Sequence, residues 1–370
     1  MSRRSATGVL MMALLLAGCA QERGKNHVDK NWTPGKQGTF QARNEVKIVV
    51  PEGAKRICAW IAMPQDEAGQ VITNFQVECA FPHEITTDSY GNREIHVDVT
   101  DPKAKEFTVV ETFGVSREEV LIAARPGTSR PLAETARAEY ATYLEPNANV
   151  TIDDRIRALA KEIAGAETDP VVVSRRIYDW ELNNVDYWVK DPKNRKASPT
   201  GNTEYCLTNR TGNCGDFHAL YMSLSRANGI PTRMVYGSLF KPELNGKDED
   251  GSYHCWVEFY ADGLGWVPID VALADLYYEP IVINPDNEKP VRMTTAFSRY
   301  DGPDAKMVDY YFGNLEERRV VWNRGRDLTL SPKQDGGPIN AMPKAYIEID
   351  GKVGVEKTDW FRKFTYTEAH

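Results

Sequence analysis

The chain has 370 residues, of which 10% are aromatic and 26% charged, so it is long enough to bury more than one hydrophobic core. Its formal net charge is −8 and no basic cluster stands out, which argues against a nucleic-acid partner. The six cysteines lack the paired spacings of zinc ligands, and Asp248-Glu249-Asp250-Gly251 does not match a calcium loop. We therefore expect no metal and no other cofactor.

The first 18 residues have the features of a signal peptide. Two arginines precede an apolar run over 9–16, which is too short to span a bilayer as a mature helix. The run ends in Leu16-Ala17-Gly18-Cys19, which resembles a bacterial lipobox and implies cleavage before Cys19 and lipidation of that residue. The alternative is an ordinary secreted protein with a free Cys19. Residues 19–39 are polar and predict a flexible stalk.

A membrane-anchored, exported lipoprotein is the localisation that these features predict. No segment after the signal peptide is apolar enough to cross a bilayer, so the lipid would be the membrane contact. In a Gram-negative cell this would be the periplasmic face of the outer membrane. Such a compartment is oxidising, which permits disulfides.

Residues 40–125 are predicted to form a β-sandwich domain. Short runs of β-branched and aromatic residues alternate with turn signals such as Pro51-Glu52-Gly53. Cys58 and Cys79 lie on successive predicted strands, where they form either a core disulfide or two packed free thiols. Residues 126–150 contain three prolines and are predicted to be a linker with one short helix over 133–143.

Residues 151–300 carry the pattern of a mixed helical and stranded core. Helical periodicity is present at 153–163 and after Pro170, and a polar loop over 191–213 leads into an amphipathic helix at Cys214. Strands follow the helix stop at Asn228-Gly229-Ile230-Pro231 and are predicted at 234–237, 254–260 and 266–270. Residues 301–370 are predicted to be a β-rich extension, with strands at 310–312, 320–322, 346–349 and 361–367.

Cys214 is the candidate nucleophile, since it lies at the predicted helix start in Gly212-Asn213-Cys214-Gly215-Asp216-Phe217. A thiol attacks a carbonyl only as thiolate, and the positive end of a helix dipole favours that anion. An imidazole that accepts the proton and later delivers it to the leaving amine is also needed. His254 is the candidate for that role.

Asp270 is the candidate third member, because it would lie beside His254 on a hairpin. If Ala261-Asp262-Gly263 is the turn, Tyr260 faces Leu264 and His254 faces Asp270. Directly opposed residues on antiparallel strands project from the same face. The carboxylate would then hold the imidazole in the required tautomer.

Several neighbouring side chains have alternative roles. The Cys214 amide is one expected oxyanion donor; a second comes from an upstream side chain that the sequence does not identify. His218 is either a rival base or a packed histidine, and Asp216 is predicted to cap the helix. Cys255 should point to the face opposite His254, either packed or bonded to Cys206. The candidates for the second oxyanion donor or the site walls are Trp180, Tyr187, Trp188 and Trp256.

These motifs together resemble the transglutaminase-like superfamily. The resemblance rests on the Cys214 motif, on Arg226-Ala227-Asn228-Gly229-Ile230-Pro231, on His254-Cys255-Trp256-Val257-Glu258 and on Gly265-Trp266-Val267-Pro268-Ile269-Asp270, in this order. It implies an α+β fold with a papain-like core, in which the nucleophile helix packs on an antiparallel sheet that bears His and Asp. Many relatives have Pro-Thr after the Asp, where this chain has Val271-Ala272.

The resemblance implies mechanism better than substrate. Members of the superfamily crosslink glutamine to lysine, hydrolyse peptides or deglycosylate, and exported bacterial members are commonly regarded as cysteine proteases. We therefore expect thiol acyl-enzyme chemistry on a protein or peptide substrate in the cell envelope, ending in hydrolysis. The alternatives are aminoacyl transfer from glutamine and a non-catalytic binding or scaffold lipoprotein.

Overall fold

The structure is a computed structural model that describes residues 32–248, 250–294 and 301–369. The predicted signal peptide and Cys19 lie outside the described residues. None of the helices in these ranges has the length and apolar character that a membrane crossing requires.

The first part of the chain is built from six strands. Alternate residues in the second half of the first strand are buried, from Phe40 to Ile48, as expected for a strand with one face on a core. Two short 3-10 turns, Glu134–Ala136 and Ala141–Tyr143, replace the single helix predicted in the linker. The six strands are β1 (Trp32–Val49), β2 (Arg56–Ala62), β3 (Gln70–Glu78), β4 (His83–Thr87), β5 (Arg93–Thr100) and β6 (Glu106–Ile122).

The second part alternates helices and strands. Asp153 and Asp169 cap its first two helices, and their carboxylates accept backbone N–H bonds from Ile156 at 2.8 Å and from Val171 at 3.0 Å. The elements are α1 (Asp154–Ala164), α2 (Pro170–Asn184), β7 (Asp186–Tyr187), α3 (Thr203–Asn209), β8 (Thr211–Gly212), α4 (Cys214–Ala227), β9 (Thr232–Leu239), β10 (Tyr253–Ala261), β11 (Gly265–Ile269), α5 (Val271–Tyr278), α6 (Glu288–Thr294) and α7 (Ala305–Tyr310).

The last strands return to sheets that the earlier parts of the chain began. They are β12 (Asn314–Leu315), β13 (Arg319–Arg324), β14 (Ala345–Ile349), β15 (Lys352–Val353) and β16 (Trp360–Glu368). β13 completes the antiparallel core sheet β11-β10-β9-β13, while β16 pairs with β1 and β14 pairs with β2. The β-rich segment 301–370 thus contributes strands to both the sandwich and the core sheet. Its strands cover sheet edges that would otherwise be left unpaired.

Two five-stranded sheets make up the sandwich, in the orders β12-β6-β1-β16 (with β3 on β6) and β15-β14-β2-β5-β4. Buried side chains from both sheets share one core, among them Val46 of β1 and Ile57 of β2. The strand β1 begins at Trp32, so residues 32–39 of the predicted stalk belong to the sandwich. Cys58 and Cys79 are both free thiols and belong to different clusters, so the candidate disulfide is absent.

α4 is the central helix of the core. It packs against α1, α2 and α3 on one side and against β9 and β10 on the other. Because these elements surround it, α4 is buried on nearly every face instead of presenting the solvent side of an amphipathic helix. The segment 191–213, predicted as a loop, contains α3. The strand predicted at 310–312 is instead the end of α7 and the turn that follows it.

Candidate active site

The start of α4 is fixed by a capping box. Asn213 Oδ1 accepts the backbone N–H of Asp216 at 3.1 Å, and Asp216 Oδ2 accepts that of Asn213 at 2.9 Å. A Cβ on Gly212 would lie 2.3 Å from the Asp216 Cβ, so only glycine fits before the cap. The motif around Cys214 therefore builds a helix end whose first amides point outward from α4.

Asp216 also ties the preceding loop to this helix end. Its buried carboxylate accepts the backbone N–H of Asn202 at 2.8 Å and that of Ser198 at 3.0 Å, together with the Ser198 hydroxyl. Burial raises the pKa of Asp216, although these donors oppose the shift. The predicted capping role is the one that the structure gives to this residue.

Cys214 lies at the first position of α4 and is only 6% exposed. Contact with the Cys255 thiol lowers the pKa of Cys214 well below the ordinary thiol value; burial opposes this shift, and the contact with His254 adds to it. The site thus favours a thiolate at neutral pH, which is the reactive form of cysteine.

His254 joins Cys214 to Asp270. Its Nε2 lies 2.8 Å from Asp270 Oδ2, and the ring also contacts the Cys214 sulfur, for which Nδ1 is the remaining nitrogen. Burial acts to lower the pKa of His254, but Asp270 and Cys214 outweigh it and raise the pKa to about 9. The structure therefore brings together the three residues predicted from the sequence.

Asp270 is held by both of its carboxylate oxygens. It is the N-cap of α5, where Oδ1 accepts the backbone N–H of Leu273 at 3.2 Å. Burial would raise the pKa of Asp270, but the cations of His254 and Arg319 hold it well below its usual value. Asp270 is therefore a carboxylate at neutral pH and can pair with the imidazolium of His254.

The hairpin that carries His254 and Asp270 has a different register from the predicted one. Tyr260 pairs with Trp266 rather than with Leu264, and the ladder ends at Val257 opposite Ile269. The shift is two residues, so every side chain keeps its face. The predicted contact survives because His254 reaches Asp270 diagonally instead of directly across.

A salt bridge that sequence reasoning missed lies behind Asp270. Arg319, the first residue of β13, donates from Nη1 to Asp270 Oδ2 at 2.7 Å. Glu316 accepts from the other side of the same guanidinium, at 3.1 Å for the Nη2 bond. Neither residue belongs to a recognisable motif, and both come from the segment predicted as a β-rich extension, so no sequence signal placed them here.

Cys255 and His218 lie on the α4 side of the sheet. Cys255 is a free thiol that belongs to the core around α4, and its Sγ is 3.8 Å from His218 Nδ1. It is packed rather than bonded to Cys206. Burial lowers the pKa of His218 to about 4. His218 is therefore a packed neutral histidine, whereas His254 is the ring joined to Asp270 by a hydrogen bond.

The four residues predicted as oxyanion donors or site walls lie in different parts of the structure. The phenol of Tyr187 contacts the backbone N–H of Cys214, and its ring packs against Phe217. Trp180 and Trp188 lie at the edge of the core around α4, with the Arg210 guanidinium 5.0 Å from the Trp180 ring. Trp256 is fully buried on the face of the sheet away from α4, beside Arg319. Tyr187 is thus the candidate placed at Cys214.

A cavity of about 410 Å³ lies elsewhere, where the sandwich meets the core. Its arginines are paired with its glutamates: Arg233 donates to Glu258 at 2.6 Å, and Arg117 donates to Glu67. Because the charges compensate one another, we assign this cavity to the packing between the two parts of the chain.

The geometry of the site by itself defines a class of protein. A thiol at a helix start, joined through His to Asp on an antiparallel sheet, is a papain-like arrangement. A family model described as the transglutaminase-like superfamily matches residues 157–271, a range that contains Cys214, His254 and Asp270. Residues 157–271 therefore form a transglutaminase-like core.

Similarity to two other proteins extends beyond this core. An uncharacterized protein of Haemophilus influenzae is 26% identical over 329 residues, covering 82% of this chain and 84% of that protein. A solved structure from Cytophaga hutchinsonii, described as a "Putative Cysteine Protease", is 16% identical with a TM-score of 0.51. It covers 91% of this chain and 100% of its own. At this identity the likeness shows the fold, which extends over nearly the whole chain.

Proposed function

We propose that the protein hydrolyses amide bonds of peptides or proteins by thiol acyl-enzyme chemistry. The observation that carries this proposal is the 2.8 Å contact between His254 and Asp270, with the Cys214 sulfur on the other side of the same ring. The description of the Cytophaga hutchinsonii structure as a "Putative Cysteine Protease" gives further support to hydrolysis.

In the first half of the reaction, the Cys214 thiolate attacks the carbonyl carbon and a C–S bond forms. The carbonyl oxygen takes the negative charge, and the Cys214 amide stabilises it together with Tyr187, the side chain that contacts that amide. His254 then gives its proton to the amide nitrogen while the C–N bond breaks. The products are a free amine and a thioester on Cys214.

In the second half, neutral His254 takes a proton from water, and the hydroxide oxygen adds to the thioester carbon. The intermediate collapses with loss of the thiolate, which regains its imidazolium partner. Asp270 keeps the ring oriented through both halves, because Oδ2 holds Nε2 and leaves Nδ1 directed at sulfur. A primary amine in place of water would give transfer instead.

Alkylation of the folded protein by iodoacetamide tests the nucleophile. Near neutral pH we expect fast labelling of one thiol, lost in Cys214→Ala and slowed about tenfold or more in His254→Gln. The matched control is Cys206→Ala, which removes another buried free thiol and should leave the fast labelling intact. Equal labelling of all thiols would favour a non-catalytic scaffold.

The fate of the acyl-enzyme needs a second experiment. A peptide library is incubated with wild type and with Cys214→Ala, each with and without an excess of a primary amine. We expect cleaved peptides with free carboxyl ends that depend on Cys214. Incorporation of the amine in preference to water would contradict hydrolysis and would indicate aminoacyl transfer from glutamine.

We also propose that the protein is exported and tethered by a lipid on Cys19. The basic start, the apolar run and the residues before Cys19 support this proposal. In the native host, Cys19→Ala should move the protein from the membrane fraction to the soluble fraction. Wild type that is already soluble would contradict the tether.

A further inference from the structure

Arg319 lies directly behind the His254–Asp270 pair, outside the range 157–271 that the family model matches. Its Nη1 donates to Asp270 Oδ2 at 2.7 Å, and His254 Nε2 lies 2.8 Å from the same oxygen. The side chain of Arg319 is fully buried. One carboxylate oxygen is therefore shared between an imidazole and a guanidinium, out of contact with water.

The other faces of the guanidinium are also occupied. Nε and Nη2 both donate to the Glu316 carboxylate, and the Trp256 ring lies 4.8 Å from the guanidinium carbon. Glu316, Arg319, Asp270, His254 and Cys214 thus form a chain of groups whose charges alternate when the thiolate and imidazolium are present. In a buried chain of this kind, removal of one charge leaves its neighbour uncompensated.

We propose that Arg319 is a positioning residue of the active site, which fixes the Asp270 carboxylate and limits how strongly that carboxylate retains the proton of His254. This inference rests on the proposed function, since it assigns a role to Arg319 in the same reaction. It also gives the returning strand β13 a part in catalysis.

The physical reason is the competition of two cations for one buried anion. Without Arg319, loss of the imidazolium proton would leave the Asp270 carboxylate buried without a charged partner at hydrogen-bond distance, a state that costs free energy. The imidazolium would therefore persist to higher pH. With Arg319 present, the carboxylate keeps a cationic partner when His254 becomes neutral, as hydrolysis of the thioester requires.

The other groups around the pair do not supply this charge. Burial raises the pKa values of the nearby tyrosines and of Cys255 and lowers that of His218, so these groups stay neutral near pH 7. Among the described residues that face the pair, Arg319 is thus the fixed cation and Glu316 is its counter-ion. The neutral groups are Tyr178, Tyr187, His218, Cys255 and Tyr311.

The test is the rate of Cys214 alkylation by iodoacetamide, measured as a function of pH. The change in rate on the alkaline side of this profile, its upper limb, reports loss of the imidazolium proton of His254. In Arg319→Met, which keeps the length but not the charge, we expect this limb to move upward by about one pH unit. In Glu316→Gln, which leaves Arg319 less compensated, it should move downward by about half a unit. Arg319→Lys keeps the charge and should restore a limb close to wild type.

Shifts of the limb in opposite directions separate this role from a structural one. A purely structural role would lower stability in every variant and would not move the limb up in Arg319→Met and down in Glu316→Gln. Circular dichroism and thermal melting establish which variants fold. If Arg319→Met does not fold, Glu316→Gln and Arg319→Lys carry the test. A folded set whose limbs coincide with wild type, or all move the same way, overturns the inference. Slow alkylation of wild-type Cys214 would instead overturn the proposed function.

Discussion

At the scale of single residues, two thiols meet at the start of α4 and hold their protons differently. Contact with Cys255 is the largest cause of the lowered pKa of Cys214. Burial raises the pKa of Cys255 itself well above the ordinary value, and its contact with Cys214 acts in the same direction. Cys255 therefore remains protonated and can donate its S–H to the neighbouring thiolate.

The predicted consequence is that Cys255→Ala makes Cys214 less acidic. Alkylation at mildly acidic pH should slow by about threefold to tenfold, while the rate above the ordinary thiol pKa stays unchanged because the thiol ionises there anyway. Cys255→Ser keeps a donor and should retain most of the wild-type rate. Equal slowing in the alanine and serine variants, at all pH values, would contradict a donor role.

The candidate residues that the sequence revealed are those that lie in local motifs. Cys214 follows a capping pattern, and His254 and Asp270 lie at the ends of one hairpin, so short-range rules reach them. Arg319 is 49 residues beyond Asp270 and lies in no such pattern. Its position depends on which strand returns to β9, and that is decided by tertiary packing.

At the scale of elements, the β10–β11 hairpin shows what limits a prediction of register. Gly263 lies in the turn and Gly265 is the first residue of β11, and both adopt positive φ, at 97° and 83°. Several turn lengths are compatible with two such glycines, so the sequence alone does not choose between them. The observed register differs from the predicted one by an even number of residues, so His254 and Asp270 keep a common face although they are not directly opposed.

Strand β6 places a carboxyl group in the core of the sandwich. Glu111 is fully buried; one oxygen accepts from the Asn44 amide, and the other has no hydrogen-bond partner in the described part of the chain. Burial raises the pKa of Glu111 to about 8, against the opposing effects of Asn44 and Arg362. The folded protein therefore holds a proton here that the unfolded chain releases near pH 4.5.

Stability should accordingly fall as pH rises from about 4.5 to about 8, since over that interval only the unfolded state ionises Glu111. In Glu111→Gln this part of the pH dependence should disappear, with a gain on the order of a few kcal/mol near pH 8. Urea denaturation at several pH values measures it. Glu106→Gln, an exposed change on the same strand, is the control and should leave the curve unchanged. A parallel pair of curves for wild type and Glu111→Gln would contradict the argument.

At the scale of the whole molecule, the chain closes on itself through its last strands. β16 pairs with β1 from Phe40 opposite Glu368 to Ile48 opposite Trp360, and β14 pairs with β2. Strand propensity predicted β14 and β16, but local pattern carries no information on which distant edge a strand joins. The same part of the chain brings β13 and Arg319 to the core sheet, and we therefore expect opening of the sandwich to disturb the candidate active site.

Paired substitutions on β16 test that dependence, because its side chains alternate between core and solvent. Phe364 is fully buried in a cluster that also contains residues of β1, β6 and β13, whereas Phe361 is 39% exposed. Phe364→Ala should cost about 3–5 kcal/mol of unfolding free energy and should slow Cys214 alkylation at temperatures where the sandwich opens. Phe361→Ala should cost less than about 0.5 kcal/mol. If Phe364→Ala melts the sandwich while the rate of Cys214 alkylation stays at the wild-type value, the catalytic core folds independently of β16, and the coupling does not exist.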